Sequence, residues 1–196
     1  MSFKGIIKTI YTYFFNWNKI IRFKQFGKNS FIGRRCTVHN CGNGIKIGNN
    51  VRIGNDSRLS LYKSEDNIPE ILISDNCYIG SDFSIIAGAK VLIEKNVLIA
   101  SYVSVISENH GNDPESPIYY GKQPLTSSPV TIKEGAWIGE KVSILPGVCI
   151  GKKSIIGTGS VVTKNIPDYC IAVGNPARVI KVYNFDTHKW DKASNT

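Results

Sequence analysis

The chain contains three histidines, and only His110 lies in a long stretch without regular patterning. A neutral imidazole can take the proton of a hydroxyl group that attacks an electrophile, so His110 is the first candidate for a general base. His39 falls within a regular repeat and His188 lies near the C-terminal end, where we expect structural or solvated roles. A three-histidine zinc site would need all of them at one point, so the sequence predicts no metal site.

The residues that could position His110 follow a period of six. An aliphatic residue recurs at every sixth position in the C-terminal half, as Ile132, Ile138, Ile144, Ile150, Ile156 and Val162. A period of six is neither the 3.6 of a helix nor the alternation of an ordinary strand. It is typical of a coil with three short strands and three corners, whose turns stack about 4.8 Å apart. The aliphatic side chains are expected to point inward and form one core.

The same period recurs upstream, and two segments interrupt it. The upstream positions are Ile47, Ile53, Leu59, Ile73, Ile79, Ile85, Ile93, Ile99 and Val105. The shorter interruption is 62–70, and the longer is 107–129, which contains His110 and four of the eight prolines. A long insertion in a compact domain is usually functional, so we expect 107–129 to be a protruding loop that carries the site.

Residues 1–28 are predicted to form an amphipathic helix before the coils. Its apolar positions fall on one helical face, as Phe3, Ile6, Ile7, Ile10, Phe14, Trp17 and Ile21. Two roles remain open for this segment: it caps the first coil, or residues 1–26 lie in a membrane interface beside a lipid-linked acceptor. The coils are expected over 29–183, and 184–196 is expected to be a C-terminal tail.

Charge and cysteine usage limit the partners and the compartment. The net charge is +9, but residues 1–28 hold six basic residues and no acidic one, so nucleic acid is not an expected partner. The five cysteines are Cys36, Cys41, Cys77, Cys149 and Cys170. They form no CxxC pair and are odd in number, which favours a reduced compartment. With no signal-peptide pattern, we expect a cytoplasmic protein, at the inner face of the membrane if residues 1–26 bind lipid.

Residues 129–181 resemble the sugar O-acetyltransferase branch of the hexapeptide-repeat acyltransferases. The shared motifs are WIG, LPGV, GSVVTK and GNPAR, in that order. This branch includes galactoside and maltose acetyltransferases and O-acetyltransferases of bacterial surface polysaccharides. With the weaker upstream repeats, the resemblance extends from residue 29 to about residue 183. It implies an all-β fold, a left-handed parallel β-helix that assembles as a homotrimer. The handedness is taken from the resemblance, because parallel crossovers are usually right-handed.

The resemblance also implies a reaction. His110 matches the histidine that acts as general base in the family, and the acceptor is a sugar hydroxyl acetylated directly by acetyl-CoA. Either Glu108 or Asp113 could orient the imidazole, and so could a backbone carbonyl.

A groove for acetyl-CoA is implied between neighbouring prisms of the trimer. Backbone groups near Gly139, Glu140, Thr158 and Gly159 would line the pantetheine arm. Trp137 would pack beside the acyl arm, or against a neighbouring subunit. The groups that would meet the phosphates are Thr163, Lys164, Arg178 and Lys181, whose charges and hydroxyl suit anionic oxygens.

Departures from the resemblance leave the acceptor open. The galactoside and maltose enzymes carry an asparagine in the coil before the catalytic loop, whereas residues 84–88 read SIIAG. The closest alternative is an N-acetyltransferase that acts on an amino sugar attached to a nucleotide. A non-catalytic β-helix scaffold is a further alternative. A zinc carbonic anhydrase of the same fold is disfavoured by the unlike contexts of the three histidines.

Overall fold

The computed structural model describes residues 20–39, 44–63 and 68–193. Residues 1–19 of the predicted N-terminal helix lie outside the described residues, and the described remainder of that segment contains a strand, Gln25–Phe26. Among the described residues, no helix is long and apolar enough to cross a membrane.

Three parallel sheets form the body of the protein, and the chain visits them in turn. The first sheet contains β1 (Gln25–Phe26), β4 (Ile45–Ile47), β7 (Ile71–Ile73), β10 (Val91–Ile93), β15 (Val130–Ile132) and β18 (Cys149–Ile150). The second begins with β2 (Phe31–Ile32), β5 (Arg52–Ile53), β8 (Tyr78–Ile79), β11 (Leu98–Ile99), β16 (Trp137–Ile138) and β19 (Ile155–Ile156). The third contains β3 (Thr37–His39), β6 (Arg58–Leu61), β9 (Ser84–Ala87), β12 (Ser104–Ile106), β17 (Ser143–Ile144) and β20 (Val161–Val162).

This arrangement is a left-handed parallel β-helix, so the predicted fold is confirmed. Each coil contributes one strand to each sheet, which gives a three-sided prism. We call the corner between the first and second sheets the first corner, that between the second and third sheets the second corner, and that between the third and first sheets the third corner.

The core consists of the aliphatic residues that the period of six selects. In the second sheet Ile32 lies beside Ile53, which is followed in register by Ile79, Ile99, Ile138 and Ile156. Each of these side chains is at most 1% exposed, so they form one continuous buried column. The prediction that these positions point inward is therefore confirmed.

The corners require backbone conformations that the sequence partly anticipates. At the first corner Asn29, Asn50, Asn76 and Asn96 all have φ between 55° and 61°. Asparagine tolerates this left-handed region better than most residues. The side-chain amides also stack, since Asn29 donates to Asn50 over 3.3 Å and Asn50 donates to Asn76 over 3.1 Å. The asparagines thus stabilise both the turn and the stacking of coils.

The prism begins earlier than residue 29. Strand β1 lies within the segment 1–28 and pairs in parallel with β4. The first coil therefore starts at Gln25, and only the part of the segment before it can act as a separate element.

The C-terminal end of the prism is closed by an antiparallel extension. The second sheet continues through β21 (Cys170–Gly174), β22 (Ala177–Asn184) and β23 (Lys189–Lys192). Strand β22 pairs antiparallel with β21, and β23 pairs antiparallel with β22. Asn184 and Lys189–Lys192, which the sequence assigned to a tail, thus belong to the sheet. Strand pairing here covers an edge of the last coil that would otherwise be open.

Candidate active site

The long loop 107–129 leaves the prism at the third corner and starts from a short hairpin. Strands β13 (Glu108–Asn109) and β14 (Thr126–Ser127) pair antiparallel. Ser107 fixes the root of the loop, since its buried hydroxyl donates to the Ala89 carbonyl over 3.0 Å and accepts from the Ala89 amide over 3.1 Å. The root is therefore tied to the coil beneath it, and His110 follows directly after β13.

A buried glutamine holds the loop together from inside. The Gln123 amide donates to the carbonyls of Asp113, over 2.9 Å, and Ile118, over 2.8 Å, and its Oε1 accepts from the Asp113 amide over 3.0 Å. Gly111 lies against it, because a Cβ there would be 2.6 Å from the Gln123 Cβ. A single turn of 3₁₀ helix, Tyr120–Lys122, precedes the glutamine. The loop is thus an ordered platform, and His110 is exposed on it.

Gln123 was missed in the sequence reasoning. A glutamine in a proline-rich segment carries no pattern of its own, and its role depends on contacts with residues up to ten positions away. The neighbouring Pro124 is the nearest signal that this stretch has a fixed backbone.

The two acidic residues proposed to orient His110 have different surroundings. The Asp113 carboxylate accepts the Glu115 amide over 2.9 Å and so stabilises a turn within the loop. Glu108 packs over Gly88, where an added Cβ would come within 2.6 Å of the Glu108 Cβ. Its Oε2 is buried and has no hydrogen-bond partner within the described ranges. Glu108 therefore retains a buried acceptor for a further donor, whereas Asp113 already uses one carboxylate oxygen within its own turn.

Four of the candidate acetyl-CoA residues lie together at the second corner. Gly139 and Glu140 occupy one coil, and Thr158 and Gly159 occupy the next. The Gly159 amide donates to the Glu140 carbonyl over 2.8 Å. A Cβ on Gly139 would lie 2.7 Å from the Thr158 nitrogen, so the coils approach too closely for a side chain there. Thr158, Gly159 and Glu140 are exposed and border a backbone-lined edge.

The other five candidates lie elsewhere on the prism. Thr163 and Lys164 are at the third corner, directly after β20, and are exposed. Trp137 lies on the outer face of the second sheet, 49% exposed. Arg178 and Lys181 are exposed on β22, and Arg178 Nη1 donates to the Ala177 carbonyl over 3.1 Å.

Within one chain the third sheet separates the second-corner group from the third corner that carries His110. The candidate residues therefore lie at three places on the surface: the second corner, the third corner, and the outer face of the second sheet with β22. Within a single chain these places do not form one site.

Charge at these places favours an anionic ligand. Lys164, Arg178 and Lys181 form no ion pair in the part of the chain that the structure describes. In contrast, Lys133 pairs with Asp168 over 3.2 Å at the first corner. The pKa of Asp168 is lowered, mainly by the hydrogen bond from the Lys152 amide. Lys133 is thus part of the scaffold, whereas the three candidate cations remain available for phosphate.

Two buried cysteines, Cys77 and Cys170, lack the low thiol pKa of a catalytic nucleophile. Burial raises the pKa of the Cys77 thiol to about 11, so it stays protonated at neutral pH. Burial likewise raises the pKa of Cys170. Over residues 20–39, 44–63 and 68–193, no three His, Cys, Asp or Glu side chains form a group that could hold a metal ion.

Comparison with known proteins defines the class. A family model described as bacterial transferase hexapeptide (six repeats) matches residues 129–164, and one described as hexapeptide repeat of succinyl-transferase matches residues 26–57. Both segments belong to the β-helix, at its two ends. The chain belongs to the hexapeptide-repeat family of transferases.

Similar curated proteins carry acetyltransferase names. The chain is 39% identical over 129 residues to the putative lipopolysaccharide biosynthesis O-acetyl transferase WbbJ of Escherichia coli K12, which covers 63% of this chain and 66% of that protein. It is 39% identical over 117 residues to galactoside O-acetyltransferase of the same organism, covering 58% of this chain and 55% of that protein. The matches thus span between about half and two thirds of these relatives' own length.

A solved structure matches more of the chain. A variant of the N-acyltransferase AntD from Bacillus cereus, in complex with dTDP-4-amino-4,6-dideoxyglucose and coenzyme A, superimposes with a TM-score of 0.72. The two sequences are 27% identical, and the match covers 88% of this chain and 90% of AntD. This similarity extends to nearly the whole prism.

Proposed function

We propose that this chain is an acetyl-CoA-dependent O-acetyltransferase that acts on a hydroxyl of a surface polysaccharide or of its lipid-linked precursor. The observation that carries the proposal is the exposed His110 at the foot of an ordered loop, on a prism whose surface also bears unpaired cations. The similarity to WbbJ and to galactoside O-acetyltransferase supports the choice of a saccharide hydroxyl.

In the proposed reaction His110 takes the proton of the sugar hydroxyl as its oxygen attacks the thioester carbonyl. The new C–O bond forms, the C–S bond breaks, and the proton on His110 passes to the departing thiolate. A positioned base of this kind contributes about 10² to 10⁴ in rate. No covalent enzyme intermediate is required, so both substrates must be bound together.

The experiment that tests this function follows the release of coenzyme A thiol from acetyl-CoA. Release should require the protein and should rise when O-deacetylated bacterial polysaccharide is added. If thiol release is the same with and without every saccharide offered, the protein is not a sugar acetyltransferase.

We further propose that acetyl-CoA phosphates contact Lys164 and Arg178. Replacing either with alanine should raise KM for acetyl-CoA about tenfold and leave kcat within about threefold, because a phosphate contact is shared by ground and transition states. Steady-state kinetics at two salt concentrations measure this, and the effect should weaken as salt increases. Lys133→Ala, at the first corner, is the matched control. Normal KM values for both variants would place the phosphates elsewhere.

We also propose that the active unit is a homotrimer, in which the candidate residues of two chains meet. Gly159 precedes β20 at the second corner and Thr163 follows it at the third corner. One chain therefore presents its candidate groups at opposite ends of the strands of the third sheet. A neighbouring copy that sets its third corner against the second corner of the first would place His110 beside Gly139 and Gly159. Head-to-tail contacts of this kind generate a closed ring when the rotation between neighbours is one third of a full turn.

Sedimentation equilibrium tests the trimer. The expected mass is that of three chains of 21.7 kDa at micromolar concentration. A mass equal to one chain at that concentration would contradict the shared site.

For the N-terminal segment we propose contact with the surface of an anionic membrane, with capping of the first coil as the alternative. Residues 1–26 carry basic and apolar residues together, which favours binding to anionic lipid. Because β1 begins at Gln25, removing residues 1–19 spares every strand of the first coil. Full-length protein should co-sediment with phosphatidylserine vesicles at low salt, and the shortened protein should not. If the full-length protein remains in the supernatant, the segment is a cap.

A second candidate function is N-acylation of an amino sugar linked to a nucleotide. The observation behind this alternative is the similarity to AntD, which covers most of both chains. Alkali distinguishes the two products, since mild base removes an acetyl ester and leaves an amide.

A further inference from the structure

The outer face of the second sheet carries an aromatic cavity, and of the candidate acetyl-CoA residues only Trp137 is among the described residues that line it. Its volume is about 590 Å³. Its aromatic walls are Trp137, Tyr169, Tyr183, Phe185 and Trp190. Small-molecule sites usually have volumes of about 300–1,000 Å³ and are lined mainly by apolar and aromatic side chains. The cavity lies between the prism and the β22–β23 hairpin, on a different side from the third corner that carries His110.

The walls of this cavity are fixed before any ligand arrives. Tyr183 packs edge-to-face on Phe185 at 5.0 Å and on Trp190 at 5.2 Å, and Tyr169 packs on Phe185 at 4.9 Å. The turn that carries Phe185 is held by Asn184, whose Oδ1 accepts the amides of the next turn residues and whose Nδ2 donates to the Asp191 carboxylate over 2.8 Å. A ligand would therefore pay little to order the site.

The side chains that line the cavity limit the chemical class of ligand that it can bind. Two aromatic side chains remain about half exposed, Trp137 at 49% and Phe185 at 57%. Besides the hydroxyls of its tyrosines and the N–H groups of its tryptophans, the polar groups of the lining are Lys153 and His188, and no acidic residue is among the described residues that line it. Such a cavity disfavours a cation, which would meet the Lys153 charge, and it suits a flat, hydroxyl-bearing molecule. One face of a pyranose ring presents C–H groups that pack on an aromatic π-face, while its hydroxyls reach donors at the rim.

We infer that this cavity is a second carbohydrate-binding site, which holds a sugar residue of the acceptor glycan away from the hydroxyl that reacts. The inference rests on the proposed function for its choice of a saccharide. A polymeric acceptor bound at two places gains affinity from the second contact without any change in the reacting group. The site thus selects for long or branched glycans over free sugars.

The test is binding of the full-length protein, without acetyl-CoA, to a microarray of bacterial surface polysaccharides in O-deacetylated form. Wild type should bind at least one polysaccharide, and Phe185→Ala should reduce that binding about threefold to tenfold, as expected for one lost aromatic contact. Leu98→Ala, an exposed apolar residue on the same face outside the cavity, should bind like wild type.

Other outcomes overturn the inference in distinguishable ways. Absence of binding, or equal binding by Phe185→Ala and wild type, shows that the cavity does not hold sugar. If Phe185→Ala weakens binding of coenzyme A, the cavity belongs to the acetyl donor, and if it changes the sedimentation mass, the cavity is a subunit contact. If polysaccharide binding follows the prediction while no acetyl transfer occurs, the cavity is a carbohydrate-binding site and the proposed acetyltransferase function is wrong.

Discussion

His110→Ala should lower acetyl transfer by about 10² or more while leaving acetyl-CoA affinity and melting temperature nearly unchanged. The loss follows from removal of the base, because a sugar hydroxyl remains protonated at neutral pH and attacks a thioester slowly. Folding should not depend on the imidazole, since His110 is exposed and the loop is held by Gln123 and Ser107. Steady-state transfer rates and a thermal melt measure the two effects.

The matched control is His39→Ala, which removes an exposed histidine from β3 in the first coil. That variant should transfer acetyl groups at the wild-type rate. If His110→Ala retains activity within threefold of wild type, another group is the base. If the melting temperature also falls clearly, the loss of activity reflects loss of structure, and the role of His110 is structural.

Phe83→Ala should lower the free energy of unfolding by about 3–5 kcal/mol, the range for removing a fully buried phenylalanine. Phe83 is 0% exposed and lies at the inner end of the second corner, immediately before β9. Its neighbours in the coils on either side are Ser57 and Val103, because the Arg58 amide donates to the Phe83 carbonyl and the Ser84 amide donates to the Val103 carbonyl. Alanine would leave a cavity in this buried stack.

Urea unfolding measures this loss, and Phe185→Ala is the control. Phe185 is 57% exposed and loses only two edge-to-face contacts, so its removal should lower the free energy of unfolding by about 1–2 kcal/mol. Equal effects of the two substitutions would show that the prism is not the cooperative core of the protein.

The sequence predicted the core of the prism because inward positions recur at a fixed spacing. Each inner aliphatic contacts its equivalent in the next coil, so the period alone selects residues such as Ile138 and Ile156. Some corners could also be anticipated, since Asn50 and Asn76 are suited to a positive φ. Lys141, Lys153 and Tyr169 adopt the same conformation without any such preference, and there the stacking of coils imposes the turn.

The C-terminal hairpin could not be predicted in the same way. Strands β22 and β23 pair antiparallel, and their side chains do not follow the period of six. Their pairing depends on contacts such as Tyr183 with Trp190, which join residues outside the repeats. The cavity that these strands form with Trp137 therefore could not be predicted from the repeat pattern and is visible only in the structure.

The candidate site shows the limit of sequence reasoning most clearly. Gly159 and Lys164 are close neighbours in the sequence, yet they lie at different corners because β20 runs between them. Residues that are close in sequence within a coil thus need not belong to the same site. His110 could be singled out from its residue type and its loop, whereas the residues that face it could not, because in the proposed trimer they belong to a neighbouring copy.

The most direct test of the account is the chemical form of the transferred acetyl group. We expect that ¹³C-acetyl-CoA and an O-deacetylated polysaccharide, incubated with the protein, give a saccharide-bound ¹³C-acetyl signal by NMR. That signal should disappear after mild alkali, as an ester does, and should be absent with His110→Ala. A signal that survives alkali would contradict O-acetylation, and no signal with any saccharide would contradict acetyl transfer altogether.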